Sequence, residues 1–171
     1  MPTNISQSLL PEFDTEIANT RKTLERVPEG KPDFRPHPKS MTLARLAGHL
    51  AEIPMWAVMT LAQDELDTNP PGGRPFEAYV MTTRAAALAT FDGHVARARA
   101  LIASATDEAW MQAWTLKNGG RTVMAMPRVS VVRAFVMSHM VHHRAQLCVY
   151  LRMNDVPVPS IYGPSADEGG M

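Results

Sequence analysis

Apolar residues in this chain return at every third or fourth position far more often than at every second, and that spacing lines them along one face of a helix. Four long stretches carry the pattern. Phe13, Ile17, Thr20, Leu24 and Val27 predict a first helix from about Leu9 to Arg26, stopped by Pro28 and Gly30. Leu46, His49, Ile53, Ala57 and Leu61 predict a second, capped by Ser40 or Thr42, reaching about Leu66 and kinked at Pro54. Phe76, Val80, Thr83, Ala87, Phe91 and Val95 predict a third from about Pro75 to Ser104, weakened at Gly93. Val132, Val136, His139, His143, Leu147 and Tyr150 predict a fourth from about Ser130 to Arg152.

The connections are as informative as the helices. Pro32, Pro36 and Pro38 make residues 31–39 a crossing loop, and DTNPPGGR at 67–74 carries the strongest turn chemistry in the chain. Thr106, Asp107 and Glu108 read as a short helix start leading to Trp110. Asn118, Gly119 and Gly120, set between Trp114-Thr115-Leu116 and Val123-Met124, read as a small hairpin. Pro157, Pro159 and Pro164 predict an extended tail. Twelve methionines, more than all the aromatics together, suit a core of adaptable unbranched side chains between helices. The expected fold is therefore an all-α four-helix bundle with a short hairpin between the third and fourth long helices, built as one domain over residues 1–171.

With 171 residues and 45% hydrophobic content, such a chain needs neither metal nor disulfide merely to fold. Seventeen basic and seventeen acidic residues leave no basic field, so nucleic acid is not an expected partner. Apolar runs such as Met55 to Ala62 are too short to span a membrane. The single Cys148 excludes an internal bridge and the N-terminus carries no export signal, so the expected location is cytoplasmic.

Two histidines occupy the apolar stripe of the fourth helix. His139 and His143 are one turn apart and about 40° apart around the axis, close enough for both imidazoles to bind one ion. His49, flanked by Leu46 and Ile53 in the second stripe, is the candidate third ligand. Three neutral imidazoles suit Zn, Ni, Fe or Cu and leave a position open, which is the pattern of a reactive rather than a closed structural site. Spacing alone is equally met by three histidines satisfied through hydrogen bonds. Glu52 would add a fourth ligand or orient an imidazole. His142 borders the stripe and is the weaker ligand, suited to an interface, while Cys148 points away. Met140 follows His139, so the HExxH metalloprotease pattern is absent. His37 and His94 read as loop or surface residues, and Trp56, Trp110 and Trp114 as core fillers. Arg144 would reach a substrate only from the rim. Tyr162 would either fold over the open end of the bundle as a hydroxyl donor or be pinned by packing.

Three segments carry a wider resemblance: PHPKSMTLARLAGHLAEIP at 36–54, HMVHHRAQLCVYLR at 139–152 and VPVPSIYGPSADE at 156–168. The chain resembles the DinB family of metal-binding four-helix bundles, whose superfamily includes mycothiol-dependent maleylpyruvate isomerase and the bacillithiol transferases. That resemblance implies His49, His139 and His143 as ligands of a divalent transition metal, and a homodimer. Where many relatives read HHRGQ, this chain has Ala145. Two functions follow as expectations. One is a metal-dependent hydrolase or thiol transferase acting on a small molecule, with a low-molecular-weight thiol as a co-substrate. The other is a non-catalytic, metal-stabilised stress-response or interaction protein.

Overall fold

The computed structural model describes residues 4–169; both ends of the span expected to form one domain, including the last two residues of the tail, lie outside the described residues. Helix α1 (Ile5–Leu24) starts earlier than its apolar stripe suggests. Asn4 and Gln7 form a reciprocal cap there, with the Asn4 side chain accepting the Gln7 N–H at 2.7 Å and Gln7 accepting the Asn4 N–H at 3.2 Å. Pro11 lies inside this helix on its exposed side.

Helix α2 (Leu43–Ala62) takes Thr42 as its cap, and Thr42 Oγ1 accepts the Arg45 N–H at 3.2 Å. The crossing loop supplies two further acceptors to its first turn. Phe34 and Pro32 carbonyls receive the Leu43 and Ala44 N–H groups at 2.7 and 3.0 Å. Pro54 is buried within α2 without ending it. The helix stops at Ala62 rather than Leu66, because Glu65–Asp67 forms a strand, β1, pairing in parallel with residues 115–117.

Residues 75–83 are not helical, which corrects the predicted start of the third helix. The chain here lies against α2: Met81 N–H donates to the Ala44 carbonyl at 3.0 Å, and Arg45 donates to the Tyr79 carbonyl at 3.1 Å. These long-range bonds outcompete a helical turn, and they leave Phe76 and Val80 exposed rather than inward. Helix α3 (Arg84–Ser104) starts at Thr83, whose hydroxyl accepts the Ala86 N–H at 3.1 Å. Ala87, Phe91, Ala98 and Ile102 bury its inner face.

A short helix α4 (Asp107–Met111), capped by Thr106, leads into β2 (Ala113–Asn118) and β3 (Arg121–Pro127). Gly119 and Gly120 turn the hairpin with φ of +61° and +76°, the conformation such a two-residue turn demands. The Asp67 carboxylate accepts both of their N–H groups, at 3.0 and 2.7 Å, tying β1 to the turn. The expected hairpin is thus two strands of a three-stranded sheet, ordered β1-β2-β3, in a mostly helical protein.

The last helical run comprises α5 (Arg128–Val131), a wide-turned π-helical stretch Val132–Ser138, and α6 (His139–Met153). Helices α1 and α3, α3 and α2, α2 and α6, and α6 and α1 pack pairwise around one core. That core is chiefly leucine, alanine and valine. Among the described residues only Met81, Met137 and Met140 of the methionines are buried, so methionine fills less of it than composition suggests. Among the described residues no helix is long and apolar enough to cross a membrane. The tail is folded back, not extended. Arg26 pairs with Glu168, Arg152 pairs with Asp167 at 2.5 Å, and Ser165 and Glu168 exchange backbone hydrogen bonds.

Candidate metal centre

Helical geometry brings together the three histidines that the stripes single out. His49 sits mid-way along α2, His139 opens α6 directly after the wide turns, and His143 follows one turn on. His139 Nε2 lies 2.7 Å from His143 Nε2 and 3.2 Å from His49 Nε2. One ring nitrogen from each histidine falls within 4.8 Å of the others. Nitrogens on a tetrahedral ion at the usual ~2.0–2.1 Å stand about 3.3–3.4 Å apart, so a small outward shift accommodates one.

The outer ring nitrogens decide the chemistry of the inner ones. His49 Nδ1 lies 2.7 Å from Glu52 Oε1, and His143 Nδ1 lies 2.8 Å from Gln146 Oε1. Both acceptors require Nδ1 to carry a proton, so in the neutral rings Nε2 of His49 and of His143 are the lone pairs, aimed at the same point. The Phe135 backbone beside the His139 ring works to raise its pKa. A single proton on His139 Nε2 would serve one of its two neighbours and leave the other facing a lone pair. A cation at the centre serves all three.

Electrostatics favour the same state. Burial, with the neighbouring imidazoles adding to it, pushes His143 down to about 4 against the opposing Gln146 hydrogen bond. His139 is lowered by burial and then by His49. Burial works to raise the Glu52 pKa, but hydrogen bonds from His49, the Tyr79 backbone and Arg45 outweigh it and hold the carboxyl below its ordinary value. Neutral imidazoles beside an ionised carboxylate are what metal ligation requires.

Glu52 therefore orients His49 instead of joining the cluster. Its other bonds come from Arg45 at 2.9 Å and the Tyr79 N–H at 2.8 Å, so the non-helical segment before α3 braces the carboxylate that holds His49. Gly48 makes this approach feasible: a Cβ there would lie 2.4 Å from the Tyr79 carbonyl oxygen. Gln146, Arg45 and Tyr79 are functional supports that the sequence reading missed. A signal for the first was present, since Gln146 follows His143 by three residues as Glu52 follows His49. No local pattern announces the Tyr79 contact.

The other candidates lie elsewhere. Exposed His142 sits beside the Gln146 amide at 3.1 Å. His94 approaches the Ala51 carbonyl at 3.1 Å, and His37 accepts the Lys39 N–H in its loop. Cys148 is half-buried on the α1 side, its thiol pushed up by burial. Arg144 does not reach a substrate rim: it is 2% exposed and paired with Glu16 at 2.6 Å. Tyr162 is pinned in that same cluster, donating to Glu16 Oε2 at 2.7 Å, so it does not cover the histidines. Trp110 and Trp114 are fully buried, and Trp56 packs against Phe76 with ring centres 5.6 Å apart.

A family model, that of the DinB superfamily, matches residues 12–147, a span that contains all three histidines with Glu52 and Gln146. The chain belongs to the DinB superfamily. Two crystal structures of DinB-like proteins share its fold. The one from Bacillus cereus is 22% identical with a TM-score of 0.68, the match covering 95% of this chain and 100% of that one. The one from Bacillus subtilis is 15% identical with a TM-score of 0.66, covering 91% and 99%. Among curated proteins none matches this chain. Within this DinB superfamily chain the matched span ends at Leu147, so the tail that holds Tyr162 lies beyond it.

Proposed function

We propose that this DinB superfamily protein binds a divalent transition metal through Nε2 of His49, His139 and His143 and uses it to act on a small molecule. The observation that carries the reading is the pair of Nδ1 contacts, His49 to Glu52 and His143 to Gln146, whose oxygen acceptors put the proton on Nδ1 of each neutral ring and turn two Nε2 lone pairs toward His139. Zinc, nickel and iron all suit an imidazole set. Three protein ligands are one fewer than a closed structural zinc site uses, which favours a reactive centre.

When bound, the metal would supply a lowered pKa to a coordinated water or thiol, making a nucleophile at neutral pH. The chain's own residues do the rest. Glu52 holds His49 in one tautomer, Gln146 does so for His143, and burial disfavours the charged form of His139 and His143. Hydrolysis or thiol transfer to a small electrophile is the reaction class this supports. The remaining expectations, a one-domain four-helix-bundle core and a homodimer with no nucleic-acid partner, belong to the same reading.

A purely structural ion is the rival, because the ligands come from α2 and α6 and an ion would tie the two helices together. The two readings separate experimentally. Untagged protein is analysed for zinc, nickel, iron and copper, then loaded and assayed against esters and thiol acceptors. Stoichiometric metal with turnover that His139→Ala abolishes supports the enzyme. Stoichiometric metal with no turnover, and a melting temperature that collapses on chelation, supports the structural ion.

A further inference from the structure

Beside the histidines lies a cavity of about 90 Å³ between the hairpin and the helices. Trp56 of α2, Trp114 and Leu116 of β2, Met124 of β3 and Phe135 of the wide-turned stretch form its walls, and His139 stands at its edge. No charged side chain lines it. Phe135 and His139 also border an open groove with Ser138 and His142, so the same two residues separate the cavity from solvent. Phe135 is 38% exposed at this border.

Resting on the metal-centre reading, we infer that the substrate carries a short hydrocarbon end, no larger than a single ring, which seats among Trp56, Trp114, Leu116 and Met124 while its polar reacting group lies at His139. The absence of charge on the walls makes an ionic or strongly polar group costly there, since its lost hydration would find no replacement. The volume sets the size. An enclosed apolar cavity of ~150 Å³ accepts benzene, and this smaller one is not sealed. The hairpin thus supplies specificity to a centre that the helices supply with ligands.

The test is a hydroxamate series on the metal-loaded protein, in which the head group binds the metal and the alkyl chain lengthens from two to eight carbons. Affinity should rise about fourfold per methylene, then level off once the cavity is full. Met124→Trp, which fills the cavity from the half-exposed strand β3, should flatten the series; Leu116→Phe is the second filling variant if the first folds poorly. Acetohydroxamate binding with no gain from added carbons would overturn the pocket and leave the metal centre standing. Loss of all hydroxamate binding, with 1-pentanol still quenching tryptophan fluorescence in wild type and not in Met124→Trp, would overturn the metal centre and keep the pocket. Neither hydroxamate binding nor a pentanol response would overturn both.

Discussion

Glu52 Oε1 stands 2.7 Å from His49 Nδ1 and 2.9 Å from a guanidinium nitrogen of Arg45, so one carboxylate oxygen both orients the His49 ring and is itself held in place. Second hydrogen bonds of this kind set ring orientation and ligand basicity, and their loss costs ~10–100-fold in metal affinity. Glu52→Ala should therefore weaken metal binding by about that factor, measured by competition with a chelator, with the histidines intact. Glu52→Gln, which keeps an acceptor, should lose less.

Gly48→Ala should act on the same centre from a distance. Its methyl group would meet the Tyr79 carbonyl oxygen at 2.4 Å and the Met81 nitrogen at 2.9 Å, both backbone atoms, so residues 79–81 must move. Overpacking of this sort costs ~1–3 kcal/mol, to be read as a lower urea midpoint. Because Tyr79 N–H donates to Glu52, the displacement should also lower metal affinity. A surface alanine substitution of equal destabilisation should not.

Acid should destabilise the metal-free protein through His143. Its folded pKa, about 4, lies below the ordinary histidine value of 6.5. The unfolded chain therefore takes up a proton first as pH falls, and stability drops between pH 6.5 and 4 while remaining flat above that window. Urea titrations across pH 7.5 to 4 should show the loss, and His143→Gln should reduce its slope. A slope unchanged in the variant would remove His143 from the account.

Arg144 should prove essential to stability and irrelevant to the metal. It is buried and paired with Glu16, and it donates to the Glu16 carbonyl at 3.0 Å and to Thr20 Oγ1 at 3.2 Å. Removing it alone, as in Arg144→Ala, leaves a buried carboxylate without its partner and should cost about 3–5 kcal/mol. The double variant Arg144→Met with Glu16→Leu should recover much of that loss. Metal content measured on the folded fraction should be unchanged in both.

The histidine trio was legible because helical period alone places residues on a face: His49 falls between Leu46 and Ile53, and His139 and His143 continue the line from Val132 and Val136. The hairpin turn was legible for a similar local reason, since paired glycines suit positive φ. What escaped was decided by partners far along the chain. Residues 65–67 carry no strand signature of their own and become β1 only by pairing with residues 115–117. Residues 75–83 have a helical stripe, yet backbone bonds to α2 hold them extended. Arg144 was rightly placed off the ligand face, but its burial depends on Glu16, 128 residues away.

The wide turns over Val132–Ser138 have a consequence for how the protein tolerates change. They hold Phe135 and end at His139, so the door of the cavity and the first ligand of α6 are indexed to each other by residue count along one rod, not by mutual contact alone. Each such turn uses more residues than a regular one, and tightening it by deleting a single residue would rotate everything upstream by about 100° relative to the histidines. Insertions in the tail or crossing loop leave that phase untouched. Length, in this one stretch, is a coordinate of the site.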